Sequence, residues 1–363
     1  MNNNQFNGGY PQQPYQPPQP QYQQYPPQPT PQQKQMQQQQ YMKQLQINSA
    51  RSAEKSQILT AGIAIGAALI ANLIVQIFWV VVVQALGLMD IYNTSFLFQH
   101  AFNIFVVDFC GLVIPFFIVY LLLRKRYVTP LVPTKKVGFL EGAAWVFLGL
   151  AVCFVGNLLT QGVIELFKIA GYELTQPETL KPSNAIDCLV MLFSTAVAPA
   201  VCEEFAMRCS SLGALRRHGK AFAVVAVSIM FGLMHANVIQ FVFAFTIALI
   251  LGYVTVKTDS VVPAMFIHGL NNGLSVLQDS LKIITSDNTA STIATVLMIG
   301  YFVLGIAALI YLAATHKLLP KKEVQQPKPY KISFGTKILL LAPGLFIPFV
   351  ILIAMTSQFV TKI

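Results

Sequence analysis

Two adjacent carboxylates and a guanidinium stand inside an otherwise apolar stretch, Val201-Cys-Glu-Glu-Phe-Ala-Met-Arg208. An ionisable side chain in a bilayer-spanning helix costs about 2.5 to 3.5 kcal/mol on insertion scales, so its default reading is a functional site with a partner close by. Successive helical residues are about 100° apart, so Glu203 and Glu204 point in different directions, whereas Glu204 and Arg208, at i and i+4, share a face and can pair. Glu203 is left to meet a neighbouring helix, and its buried candidates are chiefly His235 and His268.

Two further motifs supply complementary chemistry. In His268-Gly-Leu-Asn-Asn272 the imidazole and the second carboxamide share a helix face at i and i+4, while Asn271 points elsewhere. Side by side, an imidazole N–H and a carboxamide NH₂ can receive the negative oxygen that develops when water attacks a carbonyl. In Phe231-Gly-Leu-Met-His235, Gly232 lets another backbone approach, and His235 with Glu203 can hold and deprotonate a water. Singly, each motif has a plainer reading: a buried histidine is usually a helix–helix hydrogen bond, and a Glu–Arg pair is usually a salt bridge. Together, in a chain with only 14 carboxylates and five histidines, they point to one shared site. Asp108, the other intramembrane acid, either neutralises Arg208 or another cation or packs near a polar neighbour.

The elements that must position these groups are membrane helices. The 363-residue chain is 55% hydrophobic, 10% charged and has a mean hydropathy of +0.57, far from soluble usage, in which about a quarter of residues are charged. The formal net charge of +10 does not indicate nucleic acid, because the 24 Lys and Arg fall in short stretches between apolar runs, as cytoplasmic loops require. The five cysteines, Cys110, Cys153, Cys188, Cys202 and Cys209, lie in apolar runs without C-x-x-C spacing and read as small hydrophobes. The polar N-terminus shows no cleavable signal, so the first spanning helix is expected to direct insertion.

Residues 1–46 are dominated by Gln, Pro, Tyr and Asn and are expected to form a disordered cytoplasmic tail, a spacer or a ligand for aromatic-grooved domains. A basic juxtamembrane flank follows over 47–56. Apolar runs of spanning length fall at about 57–87, 98–123, 139–169, 186–213, 221–239, 240–257, 260–279, 292–314 and 337–358, where a crossing needs about 20 residues. The expected architecture is an all-α polytopic bundle of about nine spanning helices, divided into N-terminal membrane helices (57–184), a core carrying the chemistry (185–280) and C-terminal membrane helices (281–363).

Loop charge supports this division. Basic loops at Arg124-Lys-Arg126 with Lys135-Lys136, at Arg216-Arg217-His218 with Lys220, at Lys257, and at His316-Lys317 with Lys321-Lys322 alternate with neutral or acidic ones at Asp90–Asn93 and Tyr172–Asn184, the latter carrying Glu173 and Glu178. The N-terminus is then inside and the C-terminus outside. Counting 1.5 Å per residue from the nearest basic loop, Glu203 is about 20 Å deep, His235 about 22 Å and His268 about 16 Å. Three helices thus deliver polar groups to one level, which implies a shared hydrated pocket.

The ordered trio Glu203-Glu-Phe-Ala-Met-Arg208, Phe231-Gly-Leu-Met-His235 and His268-Gly-Leu-Asn-Asn272 resembles the EExxxR, FxxxH and HxxxN series of the CPBP family, the CAAX prenyl endopeptidases and the bacteriocin-processing or immunity-type membrane proteins. The resemblance covers roughly residues 185–280. It implies a CAAX-protease-like core acting as a glutamic intramembrane endopeptidase, with Glu203 and His235 activating water, Glu204 and Arg208 supporting the site, and His268 with Asn272 forming an oxyanion hole. It implies no cofactor, a membrane-associated protein or peptide substrate whose lipidation stays open, and membrane lipid as surroundings. Tail composition and compact loops suggest a bacterial cell membrane. Rival readings are a zinc-dependent membrane metalloprotease using the same residues, although H-E-x-x-H is missing; a proton-coupled transporter, although the Glu-Glu-x-x-x-Arg segment has no second copy; and a non-catalytic scaffold or bacteriocin-immunity protein.

Overall fold

The computed structural model describes residues 28–125, 132–177, 179–319 and 328–363. The tail over 1–27, Arg126, Glu178 and Lys321-Lys322 lie outside the described residues. The chain separates into two units, Met1–Asn48 and Ser49–Ile363.

In the first unit the chain is helical from Pro31, the first residue of α1 (Pro31–Ala85). The tail expected to run disordered to residue 46 is therefore corrected over 31–46. Thr30 and Gln33 form a reciprocal cap, Thr30 N–H donating to Gln33 Oε1 at 2.8 Å and Gln33 N–H to Thr30 Oγ1 at 3.3 Å. Pro31 stands in the first turn, where its missing N–H has no intrahelical partner to lose. Beyond it Gln, Met, Lys and Leu are good helix formers, and no further proline interrupts α1.

In the second unit the apolar runs appear as helices within a few residues of expectation: α2 (Phe96–Arg124), α3 (Phe139–Ile169), α4 (Ala185–His218), α5 (Lys220–Met234), α6 (Val238–Thr258), α7 (Val262–Leu281), α8 (Asp287–Ala314) and α9 (Phe334–Thr356). Among the described residues seven helices are long and apolar enough to cross a membrane. The two remaining are α5 and α7. With 15 residues, α5 is about 22 Å long at 1.5 Å per residue, and α7 carries His268, Asn271 and Asn272 in its middle.

Helix α3 is the central pillar, packing against α6, α7 and α8, while α5 pairs with α6 and α4 with α2 and α7. Trp145 of α3, Phe116 of α2, Phe231 of α5 and Ile267 of α7 are buried in one continuous core. A two-stranded antiparallel ribbon joins β1 (Tyr172–Leu174) to β2 (Val360–Lys362).

The basic loops gather at one end of this unit. Arg216 Nη1 lies 2.5 Å from Asp259 Oδ1, and Lys317 Nζ lies 2.8 Å from Glu141 Oε2. The buried Glu54 carboxylate accepts from Lys328 Nζ at 2.7 Å, Tyr330 OH at 3.0 Å and His218 Nδ1 at 3.3 Å. At the other end are the β-ribbon, the Lys181–Asp279 pair at 2.9 Å, and Leu180 N–H donating to Gln99 Oε1 at 3.2 Å. Gathering of the basic loops at one end is the geometry that their alternation along the chain requires.

The α5–α6 hairpin depends on Gly232. A Cβ there would stand 2.9 Å from a ring carbon of Phe241 and 3.2 Å from its carbonyl oxygen. Gly232→Ala improves helix propensity by about 1 kcal/mol, but overpacking against a fixed backbone costs about 1–3 kcal/mol. The variant is therefore expected to be less stable than the parent, seen as a lower thermal unfolding midpoint in detergent; an unchanged or raised midpoint would show that the hairpin has slack.

Candidate active site

Helix α4 carries the acidic motif and is not a uniform α-helix. Asn184 caps its start by accepting from Ile186 N–H at 2.9 Å and Asp187 N–H at 3.0 Å. It then widens into π-helical turns over Leu192–Val197 and again over Phe205–Leu212. Helix α2 does the same over Asn103–Val113. Pro199 and Pro115 follow two of these stretches closely; a proline inside a helix removes a donor and crowds the preceding turn, which a wider turn relieves. In the third, the Ser211 hydroxyl donates to the Ala206 carbonyl at 2.9 Å. The π stretches carry Asp108, Thr195 and Arg208, so the irregular backbone lies where the polar groups converge.

The convergence is centred on His268. Its Nδ1 is 3.0 Å from Glu204 Oε1, and its Nε2 is 3.7 Å from Glu203 Oε2. Glu204 Oε2 in turn lies 3.1 Å from Arg208 Nε, so the expected i,i+4 brace is formed. The Arg208 guanidinium stacks over the Phe231 ring at 4.8 Å, and that ring meets His235 edge-on at 5.0 Å and His268 at 6.1 Å. His235 joins the group through Phe231: among the described residues no hydrogen bond links it to Glu203. The partner that α7 offers Glu203 is His268.

Burial sorts the residues into two sets. The Glu204, Arg208 and His268 side chains are 0%, 1% and 4% exposed. Glu203, at 16%, is partly open, and His235 and Asn272 are likewise half-buried. His235 Nδ1 bonds the Phe231 carbonyl at 2.8 Å. A carbonyl only accepts, so this nitrogen carries the proton and Nε2 of the neutral ring presents a lone pair. Asn272 Nδ2 donates to the Thr195 carbonyl at 3.0 Å, and Asn271 Nδ2 donates to Asn272 Oδ1 at 3.3 Å. Asn271 therefore does not point elsewhere; it orients its neighbour.

The motif reading assigns no role in the site to four participants. Phe231 separates the rings, Thr195 anchors Asn272, and Asn271 orients it; none of the three carries charge or stands alone as a signal. Asp108, buried in α2, lies close enough to feel both the like charge of Glu203 and the opposite one of His268. The turn after His235 is also held from outside: Asn237 caps α6 and donates from Nδ2 to the Thr175 carbonyl at 2.8 Å, next to β1. Ala236, between them, adopts a left-handed φ of 49°.

Residues 185–274 match the family model described as Rce1-like, type II CAAX prenyl endopeptidase Rce1-like. The matched stretch runs from the start of α4 into α7 and contains all six of the motif residues. The match supports the CPBP resemblance and indicates a membrane protease of CAAX type. No curated protein and no solved structure matches the chain.

Removing one member of a buried ion pair leaves the other charge uncompensated, at about 3–5 kcal/mol. Arg208→Met is expected to lose that much stability, and adding Glu204→Gln should restore part of it. Thermal unfolding of the two single variants and the double variant reads the coupling; strictly additive losses would mean that the pair is not a unit.

Proposed function

With a CPBP-family segment over residues 185–274 as premise, we propose that the protein is an intramembrane endopeptidase that hydrolyses a peptide bond with a water activated by Glu203 and His235. The observation that carries this reading is the split at His268: a buried Glu204–Arg208 pair behind it, and the partly open Glu203 carboxylate before it. A water placed between Glu203 and His235 can donate one proton to the carboxylate and the other to the His235 Nε2 lone pair, leaving its own lone pair for the carbonyl carbon.

As the new C–O bond forms, the carbonyl oxygen becomes negative, and the Asn272 amide is the half-buried donor beside it. His268 adds a donor at Nε2 when it is imidazolium, with Nδ1–H retained by Glu204. In that state Arg208 and His268 offset the charges of Glu203 and Glu204 in a low-dielectric site, with the Asp108 carboxyl close by. Collapse breaks the C–N bond, and the amine leaves with the proton that Glu203 took from water. The substrate is a membrane-associated protein or peptide. An apolar groove of about 490 Å³ beside the site, lined by Leu192 of α4 and Gly273 and Val276 of α7, supports an apolar or lipidated segment as what it seats.

One observation favours a second reading. His235 and His268 are each held at Nδ1 from behind, which is how zinc-ligating histidines are oriented. Against it, no group of three or more His, Cys, Asp or Glu is spaced to hold an ion among the described residues. Inhibition by millimolar phenanthroline with recovery on added zinc would decide for the metal.

Glu203→Gln and His235→Ala are each expected to abolish cleavage while leaving insertion and thermal stability close to wild type. Asn272→Ala should lower turnover by about 10²- to 10³-fold, the usual effect of an oxyanion donor. Peptide profiles of membranes holding wild-type or Glu203→Gln protein supply the readout, and wild-type cleavage by Glu203→Gln would end the water-activation role.

A further inference from the structure

At the end of the second unit where the basic loops gather, a cavity of about 900 Å³ lies between the start of α3, the start of α5, the end of α6 and the segment after α8. Its lining contains four lysines, Lys135, Lys220, Lys257 and Lys317, against one carboxylate, Glu141. The lining thus has an excess of three positive charges, and none of these residues belongs to the catalytic cluster. Along α5 the deepest lining residue, Val225, is separated from His235 by about 15 Å of helix at 1.5 Å per residue.

Two of the lysines are held at their posts. Lys257 Nζ donates to the Leu319 carbonyl, and Lys317 Nζ lies 2.8 Å from Glu141 Oε2. Below the ammonium groups the wall changes character: Val224 and Val225 of α5 and Leu249 and Val256 of α6 form an apolar floor. A cationic rim above an aliphatic floor suits a molecule with one anionic end and one hydrocarbon end. A free phosphate uses only the rim, whereas the floor belongs to helices set in the bilayer, where such amphiphiles are at hand. Basic pockets between membrane helices are a recognised setting for anionic headgroups.

We propose that this cavity binds an anionic phospholipid, its phosphate seated among Lys135, Lys220 and Lys257 and the upper carbons of its acyl chains lying against Val224, Val225 and Val256. Glu141 opposes the ligand's charge. It draws Lys317 away from the phosphate, so its removal strengthens retention.

Full-length protein purified in detergent and offered phosphatidylglycerol, phosphatidylcholine or inorganic phosphate tests this by native mass spectrometry of retained lipid and by thermal unfolding. Phosphatidylglycerol should be retained at least tenfold over phosphatidylcholine. Lys135→Gln/Lys220→Gln/Lys257→Gln should lower that retention at least fivefold, Glu141→Gln should raise it, and Val225→Trp, which fills the floor with the lysines intact, should lower it. Lys168→Gln/Lys362→Gln, at the opposite end, should leave it unchanged. Equal retention of the two lipids, full retention by both the triple lysine variant and Val225→Trp, or equal stabilisation by inorganic phosphate alone would each overturn the proposal, the last by assigning the cavity to a water-soluble anion.

Discussion

Charge neutrality inside a low-dielectric slab is the constraint from which the arrangement of α4, α5 and α7 follows. Glu204 and Arg208 are almost wholly buried, and neither ion is tolerable there without the other. Both stand on one face of α4, and their burial turns that face toward the core. His268 then ties α7 to that orientation through Glu204, and its other nitrogen faces Glu203. Buried ions return little net stability even when well paired. What this cluster contributes is registration: α4 and α7 can slide past one another only by exposing a charge to hydrocarbon.

Small residues make that contact possible. A Cβ on Gly269 would stand 3.4 Å from the Ala200 Cβ, so the two helices approach closely beside His268. The π-helical turns of α2 and α4 belong to the same design. Widening a helix by a residue re-aims the side chains beyond it, and here the widened stretches bring Asp108, Thr195 and Arg208 toward one place. The end that carries the β-ribbon is steadied separately, with Asn237 bonded to the Thr175 carbonyl and β1 paired to β2, so the His235 turn has support from both the core and the loops of that end. Buried groups give orientation and half-open ones are left for chemistry, a division that a preformed electrostatic site needs.

Much of this was legible in the chain. Hydropathy located the apolar helices to within a few residues, but of the nine expected crossings seven are long and apolar enough to span among the described residues, α5 and α7 falling short. The Glu204–Arg208 pair was readable from spacing alone, since i,i+4 geometry is local. The helix over 31–46 was also written locally, in the Thr30–Gln33 cap and the good helix formers after Pro31; the weight given to Gln and Pro composition hid it. The pairing of Glu203 with His268 was one of two open choices, and the role of Asn271 ran opposite to expectation, because a carboxamide can reach its neighbour by rotating its side chain.

By itself, the amino-acid sequence determined that the protein lives in a membrane, where its apolar helices fall, which loops carry the positive charge, and which few ionisable residues had to find partners. These follow from transfer energies and from the fixed pitch of a helix. Only the tertiary structure decided which partners they found: His268 rather than His235 for Glu203, Phe231 as the spacer between the rings, Thr195 as the anchor of Asn272, and Asp108 drawn to the site from α2. Such choices depend on the relative roll and depth of separate helices, and those are set by close packing and π-helical turns, whose energies are sums over many neighbours that no local spacing encodes.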